Sequence, residues 1–283
     1  MLMKKRSGKV LPLLRGLRGL CVLCGFLLYA IPPRGAQAGA CDRFLYVPPG
    51  LADSVVFYHS FSRGLGRPEI NRLKASVASA KDARLAPALT GRGCKPVGKR
   101  GALALRGLDR PLTRPVTVGL WFRLDEPMKP ETCFHLISLR AARGYLSNFV
   151  RGKGTWCALT QPTFVVQLYG FDGISNVNGI RFGHAWLAEK RWHHAAVTVS
   201  QGSRVKVYWD GRLRSEIVAK GRLFQSRDVV KEIQLGPHWL GHPMTIDEAL
   251  VLDRALTGEE VRAYVHAVRR LAEARFPFQA TPR

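Results

Sequence analysis

Two pairs of adjacent acidic residues are the first candidates for acid–base chemistry. Asp247 and Glu248 lie in a β-rich stretch, and Glu259 and Glu260 follow a Thr-Gly pair. A retaining glycoside hydrolase needs two carboxyl groups about 5–5.5 Å apart. Neighbouring residues of a strand point to opposite faces of a sheet, so Asp247 and Glu248 are predicted to point apart. Glu259 and Glu260 suit a helix start, where acids favour the helix dipole. Neither pair predicts catalysis.

Four histidines are candidate metal ligands. His193 and His194 are adjacent, so in a strand one is predicted to face the core and the other the solvent. His238 and His242 have the spacing of two zinc ligands on a helix, but the glycines and the proline around them exclude that helix. We therefore expect packing and loop roles for all four.

Aromatic and basic residues make the strongest case for ligand binding. Aromatic rings stack on sugar faces, and the arginine fork pairs with carboxylate or sulfate in a bidentate manner. Most of the candidates lie in a Gly-rich segment that is predicted to be a surface loop. Alternatively, these rings only cover apolar surface. The candidate ligand-binding residues are Arg143, Tyr145, Arg151, Trp156 and Trp239.

The chain is strongly basic. Its 283 residues carry 44 Lys and Arg against 20 Asp and Glu, which gives a formal net charge of +24. Residues 63–114 alone hold 13 basic and three acidic residues. Such a field attracts acidic polysaccharide, lipid headgroups or nucleic acid. The aromatic residues expected for single-stranded nucleic acid binding are missing from this zone. A general surplus of solvated arginine is the alternative.

The N-terminus has the pattern of a secretory signal. Its first 38 residues hold seven basic and no acidic residues, and removing these seven charges from +24 leaves +17. Leu20–Ile31 is an apolar run of 12 residues, shorter than the ~20 of an ordinary membrane span. Small residues around Ala36–Ala40 suit a signal peptidase. An uncleaved anchor and a lipoprotein modified at Cys41 are the two alternatives.

Four cysteines follow the predicted signal, an even number that fits an oxidising compartment. They are Cys41, Cys94, Cys133 and Cys157. Cys133 and Cys157 flank a predicted hairpin and are our first pair, which leaves Cys41 with Cys94. Each bridge would contribute roughly 3 kcal/mol to the free energy of unfolding. None of the spacings is the close Cys-x-x-Cys of zinc sites.

Many short strand patterns separated by Gly and Asp turns follow residue 54 and predict a sandwich. Val116–Leu124 alternates clearly, with Val116, Val118, Leu120 and Phe122 on one face. Asp210-Gly211 predicts a type I′ hairpin turn, and Thr257-Gly258-Glu259-Glu260 predicts a helix with a capping box to about residue 275. Further strands are predicted at 54–61, 102–105, 132–139, 163–169, 178–186, 193–199, 203–209, 213–218, 231–236 and 245–252. Residues 62–100 show no clear period and are predicted to be an extended loop region with short strands.

Several motifs occur in one ordered run. They are Trp192-His193-His194-Ala195-Ala196-Val197, Val205-Lys206-Val207-Tyr208-Trp209-Asp210-Gly211, Ile246-Asp247-Glu248, and Arg254-Ala255-Leu256-Thr257-Gly258-Glu259-Glu260-Val261. This run resembles the laminin-G-like (LamG) domains of the concanavalin A-like lectin/glucanase superfamily. The resemblance covers about 54–265 and is most specific in 192–265.

The resemblance implies an all-β fold, a concanavalin A-like jelly-roll sandwich of two antiparallel sheets with a C-terminal α-helix. The domain division is then 1–38 signal peptide, 39–53 linker, 54–256 laminin-G-like sandwich and 257–275 helix packed on the sandwich. Many relatives bind calcium through loop oxygens, the ligands that calcium prefers. Asp53 and Asp247 are the candidate ligands, because strands near the two termini could bring them together.

The function predicted from these features is an exported, non-catalytic binding or adhesion domain. Its expected partner is an acidic polysaccharide or glycoconjugate, or a protein of the envelope or extracellular space. A polysaccharide-degrading enzyme on the same fold is one alternative, although the paired-acid motifs of such hydrolases are absent from the sequence. A structural or assembly subunit of a surface complex is the other, and an exposed apolar stripe on the last helix would favour it.

Overall fold

Strands account for most of the ordered elements of this chain. The computed structural model describes residues 49–80, 82–97, 103–108, 115–129, 132–141, 144–151, 163–169, 180–181, 187, 190–219, 230–236 and 242–275. Within these ranges, helix α1 is Pro49–Ala52 and helix α2 is Gly258–Arg275. The strands are β1 (Val55–His59), β2 (Ile70–Asn71), β3 (Ser76–Ser79), β4 (Ala83–Pro87), β5 (Arg92–Pro96), β6 (Leu103–Arg106), β7 (Val116–Leu124), β8 (Cys133–Ala141), β9 (Tyr145–Arg151), β10 (Thr163–Tyr169), β11 (Ile180–Arg181), β12 (Trp192–Val199), β13 (Arg204–Trp209), β14 (Arg212–Val218), β15 (Val230–Leu235) and β16 (Met244–Leu252).

Two antiparallel sheets hold these strands. The first sheet has the order β14-β13-β12-β7-β16-β1-β2, and the β4–β5 hairpin joins it through β16. The second sheet has the order β11-β10-β9-β8-β15-β6-β3. Consecutive strands such as β12, β13 and β14 pair directly, whereas β7 and β16 are far apart in sequence yet adjacent. This arrangement is the predicted jelly-roll sandwich.

The core lies between the inner faces of the two sheets. On β7 the alternation was predicted correctly, since Val116, Val118, Leu120 and Phe122 are fully buried members of this core. Trp209 joins the two sheets, with its ring centroid 5.5 Å from Phe122 on its own sheet and 5.5 Å from Phe164 on the other. Full burial of a phenylalanine such as Phe122 or Phe164 contributes about 1.5–3 kcal/mol.

Helix α2 covers the outer face of the first sheet. Its buried stripe includes Val261, Tyr264, Val265 and Val268, each at most 1% exposed. The Thr257 capping box is present, because Glu260 N–H donates to Thr257 Oγ1 at 3.2 Å and Thr257 N–H donates to the Glu260 carboxylate at 2.8 Å. The apolar stripe of the helix is therefore buried within this chain. An exposed stripe would have favoured the assembly alternative.

The predicted hairpin turn is also present. Asp210 and Gly211 have φ values of 50° and 80°, as a type I′ turn requires. A Cβ atom on Gly211 would lie 3.4 Å from both Cα of Arg262 and Cβ of Val265. The turn therefore packs closely against α2 and fixes the position of the helix on the sheet.

One stretch differs from the prediction, and a second agrees with it. The segment predicted as a surface loop contains β9, which lies between β8 and β10 in the second sheet. The strand was not predicted, because the glycine and arginine residues of this segment made the alternation of Leu146 and Val150 with polar residues hard to recognise. The region from residue 62 onwards carries four short strands, β2 to β5, as its weak periodicity suggested. No helix among the described residues is both long and apolar enough to span a membrane.

Candidate functional site: the outer face of the second sheet

The second sheet is apolar on one face and polar on the other. Leu105, Leu139, Leu146 and Ile233 point inward and are fully buried. Because side chains alternate along a strand, their neighbours in sequence point to the outer face. Those neighbours are polar or charged in the central strands, so the outer face offers hydrogen bonds and charge rather than apolar surface.

Four outward residues form one row across adjacent strands, and we call them the arginine row. The row consists of Tyr145 on β9, Arg140 on β8, Glu232 on β15 and Arg106 on β6, each directly opposite the next in the strand register. Adjacent strands lie about 4.8 Å apart, so the row spans roughly 14 Å. That length accommodates an extended ligand of several rings.

Glu232 lies between the two arginines and holds them on this face. Its carboxylate accepts a hydrogen bond from Arg106 Nε at 2.6 Å, and Arg140 Nη1 lies 3.9 Å from its second oxygen. The Glu232 side chain is only 11% exposed, whereas those of Arg106 and Arg140 are 64% and 49% exposed. One buried negative charge thus stands beneath two exposed positive charges, which leaves the row with a net charge of +1.

A second row of hydrogen-bonding groups runs beside the first. Ser147 Oγ lies 2.6 Å from His135 Nδ1 and 2.6 Å from Ser138 Oγ, which joins β9 to β8. Ser138 stands opposite Gln234 of β15 in the register. Gln234 is 8% exposed, and its Oε1 has no hydrogen-bond partner within the part of the chain that the structure describes. Ser138 and Ser147 are 2% and 1% exposed, so this second row is buried, and the exposed charges of the face are those of the two arginines.

The structure places only part of the predicted ligand set. Tyr145 lies in the arginine row and is half-buried. Arg151 belongs to the opposite end of β9, and its side chain is not described. Arg143, Trp156 and Trp239 lie outside the described residues.

Sequence reasoning missed Arg106, Arg140 and Glu232. The alternation of 133–141 and 230–235 contains the signal for these residues. The sequence does not show, however, that three distant strands stand side by side.

The adjacent acids Asp247 and Glu248 lie on the same side of β16, contrary to the prediction. They were predicted to face opposite sides, but the β7–β16 register shifts between Asp247 and Leu250, and Glu248 has a φ of 52°. This bulge turns both carboxylates to the same side, where both contact the Thr90 hydroxyl. Both acids are fully buried.

A proton bound to Glu248 accounts for the hydrogen bonds around this pair. Tyr58 O–H donates to Glu248, while Thr90 Oγ1 lies against both Asp247 and Glu248 but has only one hydrogen to donate. A protonated Glu248 resolves the conflict, because it donates to Thr90 Oγ1, which then donates to Asp247. Burial raises the pKa of Asp247 to about 7, and burial together with the Asp247 charge raises that of Glu248 well above its usual value.

The acid pair is fully buried and has no access to solvent. Asp247 also accepts N–H bonds from Thr90 and Glu248, both at 2.9 Å, so its oxygens already have donors. Asp53 is exposed and precedes β1, whose first residue pairs with Leu252, about 16 Å along β16 from Asp247 at ~3.3 Å per residue. The two candidate calcium ligands are therefore not brought together. Among the described residues, no group of three His, Cys, Asp or Glu is placed to hold a metal ion.

The adjacent histidines are both buried, which corrects the expectation that one would face solvent. His193 faces the core, and its Nδ1 lies 2.9 Å from the Asp210 carboxylate. His194 faces the other way, where Tyr264 of α2 covers it at a ring distance of 5.4 Å. Burial lowers the pKa of His194 to about 3. Arg269 of α2 completes this contact by an ion pair with Asp210 at 3.2 Å. These residues fasten the helix to the sheet.

The cysteine pairings remain predictions. Cys94 and Cys133 are both buried, at 0% and 7% exposure. Cys41 and Cys157, their predicted partners, lie outside the described residues. Cys94 is a thiol in the described part of the chain, and burial raises its pKa to about 12.

The two antiparallel sheets, their crossed strand order and the covering helix define a concanavalin A-like jelly roll. A sequence profile described as Laminin_G_3, of the concanavalin A-like lectin/glucanases superfamily, matches residues 98–262, which is more than half of the chain. The chain therefore belongs to this laminin G family. No match was found among curated protein sequences.

Solved structures with a similar fold include binding domains of botulinum neurotoxins. A structure of type C, described for its interaction with two ganglioside molecules, is similar with a TM-score of 0.59 at 14% identity over 77% of this chain and 52% of that one. The binding domain of type DC in complex with rat synaptotagmin II gives 0.58 at 13% identity, over 77% and 52%. The same domain in complex with SialylT gives 0.58 at 14%, over the same shares. The chain spans about half the length of these structures, and at such identities the likeness shows the fold alone.

Proposed function

We propose that this protein is an exported, non-catalytic binding domain that holds an acidic glycoconjugate on the outer face of its second sheet. The arginine row is the observation that carries the proposal. It combines an aromatic ring with two exposed guanidinium groups across adjacent strands. Rings stack on sugar faces and guanidinium groups hold carboxylate or sulfate, so the row offers both interactions that an acidic sugar requires.

The relatives and the charge support the same proposal. The similar toxin structures are described with ganglioside molecules, with SialylT and with rat synaptotagmin II, which supports a glycoconjugate or protein partner in general. The net charge of +24 adds a long-range attraction for anionic ligands. Export follows from the N-terminal pattern, and a calcium ion held through loop oxygens remains part of the proposal with no site assigned.

A non-catalytic role is favoured by the chemistry of the described acids. Asp247 and Glu248 form a close pair, but both are fully buried against Thr90 and Tyr58 and cannot reach a substrate. On the outer face of the second sheet, Glu232 is the acid that the structure describes in the row, and it is engaged by two arginines. Hydrolysis by two carboxyl groups needs a second acid near the first.

Binding to a glycan array is the first test. The protein is applied to acidic glycans (heparin, hyaluronate, oligogalacturonate and sialylated oligosaccharides) and to neutral maltooligosaccharides, at two salt concentrations. We expect saturable binding to one acidic class that persists at moderate salt. Arg140→Ala and Tyr145→Ala are each expected to weaken it at least ten-fold, since each removes one of the two recognition elements.

Arg63→Ala provides the matched control, because Arg63 is an exposed arginine on the turn after β1 of the first sheet. This variant loses the same charge and should bind like the wild type. If Arg63→Ala weakens binding as much as Arg140→Ala, the interaction is an unspecific electrostatic attraction. The same conclusion holds if the protein binds every polyanion and loses this binding when salt is added. The assembly role would then become the better explanation of this fold.

A further inference from the structure

We infer that Glu232 is a built-in counter-anion that sets the ligand charge of the arginine row, so that the row selects a sugar carrying one oxyanion. This inference rests on the proposed function, because it concerns the same site. It goes further in naming the ligand class, a carboxylated sugar, and the residue that determines selectivity.

Among the residues that the structure describes, the contacts of Glu232 leave both guanidinium groups exposed and able to bind a ligand. Arg106 uses only its Nε to bind the carboxylate, so its two Nη atoms stay at the exposed end of the side chain. Arg140 approaches the other oxygen only to 3.9 Å, beyond hydrogen-bond distance. A carboxylate needs two parallel N–H donors, and each arginine retains such a fork on its solvent side.

The burial of Glu232 determines how the row responds to charge. Since this carboxylate is 11% exposed while the arginines are about half-exposed or more, it lies beneath them and is not displaced by a ligand above. The two positive charges and one negative charge leave +1, which one carboxylate on a ligand neutralises. A second anionic group on the same sugar finds no unpaired positive charge of the row to neutralise it, and Glu232 opposes its close approach.

Tyr145 adds the second requirement, a ring. It stands opposite Arg140 in the register, so a sugar stacked on it places a substituent over the Arg140 guanidinium. A free carboxylate ion lacks the ring and is expected to bind weakly. The arrangement therefore selects for a sugar ring and one acid group together.

Glu232→Gln tests this inference. Glutamine has the same shape and keeps an acceptor for Arg106 Nε, but it raises the net charge of the row to +2. Affinity is measured by calorimetry for oligogalacturonate, for its methyl ester and for acetate. We expect the variant to bind oligogalacturonate about five-fold more tightly than the wild type, with the ester unchanged and acetate weak for both. Heparin is expected to gain more than oligogalacturonate, because its additional charge is no longer opposed.

Glu216→Gln is the matched control. Glu216 is another arginine-paired glutamate, bound to Arg204 and near Lys206 on the first sheet. It raises the net charge of the protein equally but should leave affinity for oligogalacturonate unchanged. A similar gain in both variants would assign the effect to the overall field and overturn the inference.

Two further outcomes separate the inference from the proposed function. If the wild type binds none of the glycans, the proposed function fails. If it binds oligogalacturonate and loses this binding on Arg140→Ala, but Glu232→Gln gives no gain or tightens the ester equally, only the role of Glu232 fails. Thermal unfolding of each variant confirms that the compared proteins are folded.

Discussion

Replacing Glu248 by glutamine is expected to make the protein more stable than the wild type at neutral pH, by a margin that grows with pH. Glutamine can accept a hydrogen bond from the Tyr58 hydroxyl through its carbonyl and donate one to Thr90 Oγ1 through its amide, so it reproduces the hydrogen bonds of a protonated Glu248. One amide hydrogen is left without a partner in the buried site, which costs about 1–3 kcal/mol.

The sign follows from proton linkage. Burial and the Asp247 charge raise the pKa of folded Glu248 well above that of the unfolded chain, about 4.3. At pH values between the unfolded and the folded pKa of Glu248, the folded state binds one proton more than the unfolded state. The free energy of unfolding of the wild type therefore falls by about 1.4 kcal/mol per pH unit through this residue. Glu248→Gln removes that loss, so the stability of the variant relative to the wild type should rise by roughly 3 kcal/mol from pH 5 to pH 7.

Urea unfolding followed by tryptophan fluorescence at pH 5, 6, 7 and 8 measures this difference, because the groups common to both proteins largely cancel. Glu259→Gln is the control, since it changes an exposed carboxylate at the start of α2. If the difference in the free energy of unfolding between Glu248→Gln and the wild type stays constant over this pH range, Glu248 is not protonated in the folded protein. A difference that shrinks with pH would show that Glu248 is charged in the folded protein.

Three further predictions concern packing and the disulfides. Gly93→Ala should cost about 2 kcal/mol or more in urea unfolding, because its Cβ would lie 2.5 Å from the carbonyl oxygen of Ile246; a stability equal to the wild type would show that the β4–β5 hairpin yields easily. Tyr264→Ala should cost about 3–5 kcal/mol by removing the ring that covers the first sheet, whereas Tyr264→Phe should stay close to the wild type. Peptide mapping without reductant should recover Cys133 joined to Cys157, and labelling of Cys133 by a thiol reagent in the unfolded, unreduced protein would contradict this pairing.

The sequence predicted elements wherever local rules act alone. The Asp210-Gly211 turn and the Thr257 capping box depend on a few consecutive residues, and both were confirmed. The alternation of β7 depends on the period of one strand and was also confirmed. These features are determined by residues that are close in sequence, so they can be predicted without knowledge of distant contacts.

The acid pair shows where local rules fail. The period of a strand predicts that Asp247 and Glu248 point apart, and the bulge with positive φ at Glu248 reverses this. Thr90 lies more than 150 residues away, so its role as the shared partner belongs to the packing of the β4–β5 hairpin on β16. The burial of His194 has the same origin, since helix α2 covers a face that the strand pattern assigns to solvent.

By itself, the sequence determined the sandwich, the turn, the helix and the basic character, because hydrophobic period, turn chemistry and charge are properties of neighbouring residues. Only the tertiary structure decided which charged residues meet. Arg106, Arg140 and Glu232 come from three strands that are remote in sequence, and the register of β6, β15 and β8 places them in one row. Strand order is set by the burial of the inner faces of both sheets. The composition of the outer row is therefore a consequence of how the core packs, which no local pattern records.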